Sequence, residues 1–455
     1  MKNKTLFGLS LIAGYLVWVA TAGAALWPLS PTNQVHALGN GWGEYQNYGG
    51  SPYFHPGIDV MALTDTGVPC YAVARGWVKA WLTTSANEHW RLAIADTNLL
   101  YRDSCNGYLY AHIDPNRTHK NVGDLVNPGD QIGYLVYWPV TGFDHCHFAR
   151  VRDSGATWGR GGLADWTFVE NPQNLISPNT DTAKPVIETA ITGSKFAYCR
   201  NNASTYLPYN NLNGDVDIVA RIYERFGVAI PGHSLWERIN PYKIEYAIHP
   251  PGGSAPHTLS FLFGHYLPWD DVNLVNLVFK DDATCNTQGD YDYRVYYYTV
   301  TNTDGDSLLE VRDTSGTWHT RSVPNGQYWV VVYASDQYGN TTPDSQLVTV
   351  NNPVGVEEMA EGNVSAFAFE VGPNPFRGEL DVGYALPQPE HVTLLVYNVM
   401  GQVVKVLAEG EEHGGLHRVR WNRRTAEGEE AGAGIYFLKL QAGPYRSTRR
   451  VLLLR

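Results

Sequence analysis

Methionine (4 residues) and cysteine (5) are scarce in this 455-residue chain, and charged side chains make up only 17% of it. Low charge together with 44% hydrophobic residues excludes a disordered chain, which would lack the apolar surface to offset its conformational entropy. The formal charge of −12 comes without any basic stripe, so neither nucleic acid nor an anionic membrane surface is expected as a partner. Beyond residue 24 no apolar run is long enough to cross a bilayer. No stretch before Thr182 sustains a helical period.

What is abundant is aromatic: 29 Tyr and 14 Trp, a balance that suits β-rich extracellular proteins. The length implies about three domains. Charge is unevenly spread, with 11 Lys/Arg against 9 Asp/Glu over residues 371–455 and 22 against 36 in the first 370. The body is acidic and the tail slightly basic.

Met1-Lys-Asn-Lys4 precedes the apolar run Leu6–Ala20, and Ala20-Thr-Ala22 and Ala22-Gly-Ala24 follow. A charged start, a short apolar run and small residues at the end read as a removable secretory signal over 1–24. Gly8 and Gly14 and the shortness of the run argue against a retained anchor. No cysteine follows the cleavage region, which leaves a lipoprotein anchor no point of attachment.

From 25 to about 182, short apolar runs alternate with Gly, Pro, Asn and Asp turns, as in Arg91-Leu-Ala-Ile-Ala95 and Tyr108-Leu-Tyr-Ala-His112. Strands with tight turns fit best. Residues 183–352 repeat that character in Asp215–Tyr223, Tyr293–Val300 and Gln327–Ala334, and the turn Asp336-Gln-Tyr-Gly-Asn340 follows. Residues 353–367 lose periodicity and read as a linker. Seven or so short strands between 368 and 455 indicate a second sandwich. The fold class expected is all-β: an antiparallel, barrel-like first domain (25–182) followed by two immunoglobulin-like β-sandwiches, 183–352 and 368–455.

His55-Pro-Gly-Ile-Asp59 and His145-Cys-His147 carry the chemistry. Pro56 and Gly57 make a helix after His55 unfavourable, so the segment reads as an extended turn entering the strand Ile58-Asp-Val60. In extended chain, residues an even number apart share a face. His55 and Asp59 then point the same way. His145 and His147 share a face, with Cys146 turned to the other. Two imidazoles and a carboxylate suit Zn²⁺ and leave a fourth position for water, the pattern of a catalytic metal site. A further imidazole beside them is available for proton transfer.

With Gly67-Val-Pro-Cys-Tyr-Ala72, Tyr110-Ala-His112 and Gly123-Asp-Leu-Val-Asn-Pro-Gly-Asp-Gln-Ile-Gly133 between the two histidine motifs, residues 38–152 resemble the lysostaphin/LytM-type zinc endopeptidases of bacterial cell walls. That resemblance implies His55, Asp59 and His147 as zinc ligands and His112 and His145 as unligated catalytic histidines, with either histidine as base. Departures stand at Phe143-Asp144, where the family often has Gly-Pro, at Ala149-Arg-Val-Arg152, and in one extra residue before Gln131. None removes a ligand; they bear on substrate choice. Asp144 is expected to be a turn residue rather than an acceptor for a metal histidine. Tyr110 is either a strand aromatic or part of the cleft wall. Segment 25–45 either covers the cleft or packs on the surface.

Five cysteines in an exported chain permit disulfides and leave one over. Cys70 with Cys105, and Cys199 with Cys285, fall within the same candidate domains, leaving Cys146 free. In 183–352, His233, His249, His257 and His265 lack ligand spacing, and Trp236 and Trp269 are expected to pack in the core rather than stack on sugars.

The tail resembles the C-terminal sorting domain of type IX secretion, through Pro373-Asn-Pro-Phe376, Val396–Val404, Gly415–Trp421, Ala433-Gly-Ile-Tyr-Phe437 and Val451-Leu-Leu-Leu-Arg455. It implies export across the outer membrane of a diderm bacterium, with the type IX machinery as a partner and no stable membrane insertion after signal removal. The expected activity is hydrolysis of amide bonds in peptidoglycan peptides, cross-bridges or another extracellular peptide. The contrasting readings are a non-catalytic envelope protein that binds wall or activates another hydrolase, and an adhesin whose central sandwich carries the function.

Overall fold

The computed structural model describes residues 25–152, 169–352 and 367–454, except 49, 65–66, 84–85, 99–105, 115–116, 118–119, 265–266, 292 and 427. The expected signal segment, nearly all of the expected linker, and Cys105 therefore lie outside the described residues. The chain is all-β, with 47% strand and 6% helix. It divides into two units: residues 1–206, 217–317 and 329–347 form the first, and 207–216, 318–328 and 348–455 the second.

The first unit opens with an antiparallel sheet in the order Leu38–Asn40, Ile58–Met61, His145–Val151, Gly107–Ala111, Arg91–Ala95, Gly76–Leu82, Leu125–Val126, with Val169–Glu170 pairing on His145–Val151. A smaller sheet of Pro69–Tyr71, Gln131–Leu135 and Ile113–Asp114 accompanies it. The central strands are buried on both faces, and Ile58, Val60, Leu92, Leu109, Tyr110 and Phe148 are all essentially without solvent contact. Gly123–Gly133 is turn scaffolding built twice over. Asp124 Oδ2 accepts from Asn121 N at 2.7 Å and Asp130 Oδ2 from Asn127 N at 2.9 Å. Gly123 (φ 98°) and Gly129 (φ 84°) precede those aspartates in the left-handed region.

Segment 25–45 is built into this block. Trp27 is fully buried and donates its Nε1 to Pro178 O at 2.6 Å, and Leu38–Asn40 is an edge strand on Ile58–Met61.

The rest of the unit is organised on the strand Asp215–Arg225, whose residues from Asp217 onward belong here. Val186–Glu188, Ala197–Cys199, Arg238–Ile239 and Tyr297–Thr299 pair with it. A second sheet runs Thr258–Leu262, Lys243–His249, Gly326–Ser335, Thr341–Val350, the last two strands belonging here over residues 329–335 and 341–347. The expected strands at 215–223 and 327–334 are present, each slightly longer. The expected strand at 293–300 is broken into Arg294–Val295 and Tyr297–Thr299. One helix, Val272–Val278, has no counterpart in the sequence reading, because seven residues span only two turns of period; its signal was Asp271, which caps the amides of Asn273 and Leu274.

In the second unit, a sheet of Ala368–Gly372, Leu380–Leu386 and Gly415–Trp421 accompanies one of Val403–Glu412, Glu390–Asn398, Gly434–Ala442 and Tyr445–Leu453. Alternate residues Val392, Leu394 and Val396 point inward to meet Leu380, Trp421, Leu438, Leu440 and Val451 in one core.

Candidate metal centre

Register brings the histidine motifs together. His147 lies opposite Asp59, and His145 opposite Met61, on the paired strands His145–Val151 and Ile58–Met61. Alternation turns Cys146 to the other face, where its Sγ lies 3.7 Å from Cys70 Sγ. The partner of Cys146 in space is thus Cys70, and both are free thiols. Cys199 and Cys285 share one core cluster, also as free thiols, so the expected bridge between them is not formed.

His55 Nε2, Asp59 Oδ1 and His147 Nδ1 make a triangle with edges of 3.3 Å (55 to 59), 2.9 Å (147 to 59) and 3.0 Å (55 to 147). Donors set tetrahedrally around zinc at about 2.0–2.1 Å stand roughly 3.3 Å apart. The three side chains are buried, and two imidazoles with one carboxylate are a donor set that fits zinc. His55 Nδ1 bonds Gly41 O at 2.9 Å, which fixes the ring and leaves Nε2 for a metal. The Asn40 amide donates to Asp59 Oδ2. Gly57 explains the small residue inside the first motif: a Cβ there would lie 2.5 Å from His147 Nε2 and 2.9 Å from Phe148 O.

His112 and His145 stand beside this triangle with ring centres 4.5 Å apart. His145 Nδ1 bonds Phe143 O at 2.7 Å and its Nε2 lies 3.4 Å from Asp59 Oδ2, whereas His112 Nδ1 bonds Glu88 O and leaves its Nε2 for the cleft. His112 adopts φ 62°, uncommon for a residue with a side chain and a form of strain met at functional sites. Burial, then the neighbouring His145 and His147, push the His112 pKa well below its ordinary value. Burial also lowers His147, to about 4. Burial works against a charged His55, but Asp59 and Glu44 outweigh it and raise its pKa. Burial likewise opposes the Asp59 charge, yet His145 and His55 hold that carboxyl well below the usual range.

The group opens on a cavity of about 440 Å³ whose walls include Asn40, Tyr53, Trp138, Trp269 and Tyr291. Trp138 packs against both His112 and His145, at 4.5 and 4.9 Å between ring centres. Asp144 serves this wall as a loop residue, accepting from Trp138 N at 2.7 Å. Tyr110 does not line the cavity; its Oη accepts from Val73 N at 2.9 Å in the core. Trp236 packs on Phe143 as expected for a core residue, whereas Trp269 faces the cavity. Tyr291 accepts from Trp138 Nε1 at 2.8 Å, and nothing in the sequence marked it. His233, His249 and His257 join no metal-holding group among the described residues; His265 lies outside them.

No protein-family model and no curated protein matches the chain. Among solved structures it is similar to a zinc-containing peptidase from Vibrio cholerae, with 22% identity over 29% of this chain and 39% of that one and a TM-score of 0.22. Similarity to Helicobacter pylori Csd3 has 18% identity over 31% and 35%, TM-score 0.21. Lysostaphin from Staphylococcus simulans gives 15% identity over 56% and 92%, TM-score 0.23. The chain spans between a third and two fifths of the length of the first structures it matches. Likenesses of this size are partial and do not establish a family.

Proposed function

We propose that this chain is a secreted zinc metalloendopeptidase that hydrolyses amide bonds in peptidoglycan peptides or cross-bridges. The observation that carries the reading is the buried triangle of His55, Asp59 and His147 with two further imidazoles on the same cavity. When bound, zinc makes water acidic enough to attack near neutral pH and polarises the scissile carbonyl. His112, held neutral by burial, takes the proton at Nε2. His145, whose Nδ1–H donates to Phe143 O and whose Nε2 lies 3.4 Å from Asp59 Oδ2, acts as an imidazolium that gives its Nε2–H to the oxyanion developing on the carbonyl oxygen. Trp138, Trp269 and Tyr291 hold the peptide and exclude water from the reacting bond.

The same reading takes 1–24 as signal peptide, 25–182 as the peptidase domain, 183–352 and 368–455 as immunoglobulin-like sandwiches joined by a linker at 353–367, and the last of these as the sorting signal for type IX export. Removal of 368–455 is then expected to leave the product in the periplasm, as cell fractionation would show.

Metal analysis and digestion of purified wall sacculi test the activity. About one zinc per chain is expected, retained in His145→Ala while release of new amine termini is lost. Zinc without cleavage of any wall type in the unaltered protein would instead support a non-catalytic wall-binding role.

A further inference from the structure

A second group of metal-competent side chains lies in the second unit, at the corner where the chain passes from one of its sheets to the other. Glu412 is the last residue of the strand Val403–Glu412, which belongs to the four-stranded sheet, and His417 lies on Gly415–Trp421, at the edge of the three-stranded one. His413 stands on the short turn between them. One ligand atom from each of Glu412, His413 and His417 lies within 4.8 Å of the other two. The turn is tight: a Cβ on Gly414 would lie 3.2 Å from the main chain at Gln388, and Gly415 takes φ 135°, a conformation that favours glycine.

The His417 ring is fixed in place. It stacks on Tyr384, its cross-strand neighbour, with ring centres 5.0 Å apart and planes at 10°, and its Nε2 donates to His413 O at 2.7 Å. A carbonyl only accepts, so a neutral ring carries its hydrogen at Nε2 and turns a bare lone pair at Nδ1 toward Glu412 Oε2, 3.4 Å away. Two acceptors then face one another, and a positive group has to stand between them, either a proton on Nδ1 or a metal ion. The His413 ring lies 4.8 Å from that of His417 between centres, at 76°, and is exposed, which leaves it able to turn toward the same point.

We propose that Glu412, His413 and His417 bind one divalent ion of the zinc type, which clamps the two sheets of the second unit at their corner. Two imidazoles and a carboxylate select zinc or its neighbours late in the first transition row over calcium and magnesium, which take oxygen donors. His417 coordinates through Nδ1, while the His413 carbonyl orients the ring through Nε2. Solvent completes the coordination on the exposed side. This ion is held more weakly than one among the buried ligands His55, Asp59 and His147 and is lost on dialysis, so added Zn²⁺ is needed to reveal it.

The test uses the full chain, stripped of metal and titrated with Zn²⁺ against a chromophoric chelator while the melting temperature is followed. Two equivalents are expected. The tighter one is unaffected in His413→Ala and His417→Ala, whereas the second raises Tm in the unaltered chain and binds at least about tenfold more weakly in both variants. Glu412→Gln supplies the same reading should His417→Ala fail to fold for want of its stacking on Tyr384. A single equivalent lost in the variants would support the corner site and overturn the buried one. A single equivalent retained in them would mean that a proton holds His417 to Glu412 and would overturn the proposal. Two equivalents undiminished in the variants would overturn it too, by placing the ion elsewhere, and uptake without a rise in Tm would overturn the clamp.

Discussion

Arg294 Nη2 donates to Asn40 Oδ1 at 2.6 Å across 254 residues of sequence, and the Asn40 amide in turn donates to Asp59. The guanidinium is fully buried, paired with Glu44 at 3.3 Å, and donates to the carbonyls of Trp236 and Arg238 at 3.2 Å. Glu44 accepts in addition from Gly41 N at 2.7 Å, next to the loop carbonyl that fixes His55. Arg294, remote in sequence from the histidine motifs, thereby orients two of the three candidate metal ligands.

Replacing Arg294 by Met strands the Glu44 carboxylate in the core and is expected to cost about 3–5 kcal/mol. Pairing it with Glu44→Gln should recover much of that loss. Zinc affinity should fall about 10–100-fold in the single variant, as for other groups that orient metal ligands. Urea denaturation and competition with a chromophoric chelator measure the two effects; single and double variants of equal stability would show that the pair does not matter.

Gly57→Ala places a methyl against His147 and the Phe148 carbonyl. Overpacking of this kind costs about 1–3 kcal/mol, and here the yielding group is a metal ligand. Reduced zinc occupancy with secondary structure intact, by metal analysis and circular dichroism, is the expected result. Full occupancy would place the His147 ring elsewhere.

Trp269→Ala removes an aromatic wall without touching a ligand. KM for a wall peptide is expected to rise about tenfold, equivalent to roughly 1.4 kcal/mol, with zinc content and kcat little changed. A fall in kcat at constant KM would assign Trp269 to the reacting bond instead.

His112, whose pKa burial and its histidine neighbours hold well below 6.5, stays neutral through neutral and mildly acidic pH. The acid limb of kcat/KM should therefore lie below pH 6.5, and a limb centred at or above that value in a steady-state pH profile would rule out His112 as the base.

Burial, and then the charges of Asp181 and Asp336, lift Glu224 from 4.5 to about 9 in the folded chain. The folded chain keeps a proton on Glu224 that the unfolded chain releases above pH 4.5. Stability from this group is then complete below 4.5, declines as pH rises toward 9, and levels beyond it. The difference in urea midpoint between Glu224→Gln and the unaltered chain should grow from pH 5 to pH 8. A constant difference would contradict the shift.

Short-range rules were enough for much of this. Strand alternation in His145-Cys-His147 foretold which side chains share a face, and Pro56-Gly57 foretold the extended entry to Asp59, because these depend on neighbours one or two residues apart. The all-β class and the seven strands of the tail follow from the same periodicity. The seven-residue helix escaped it for want of turns. Tertiary structure alone decided the rest. Asn40, Tyr291 and Arg294 carry no local signature, and Trp269, expected in the core, gave no sign that it faces the cavity. Their roles exist because the fold brings together side chains as far apart in sequence as Asn40 and Arg294, and burial then makes each polar group answerable to whatever partner stands beside it.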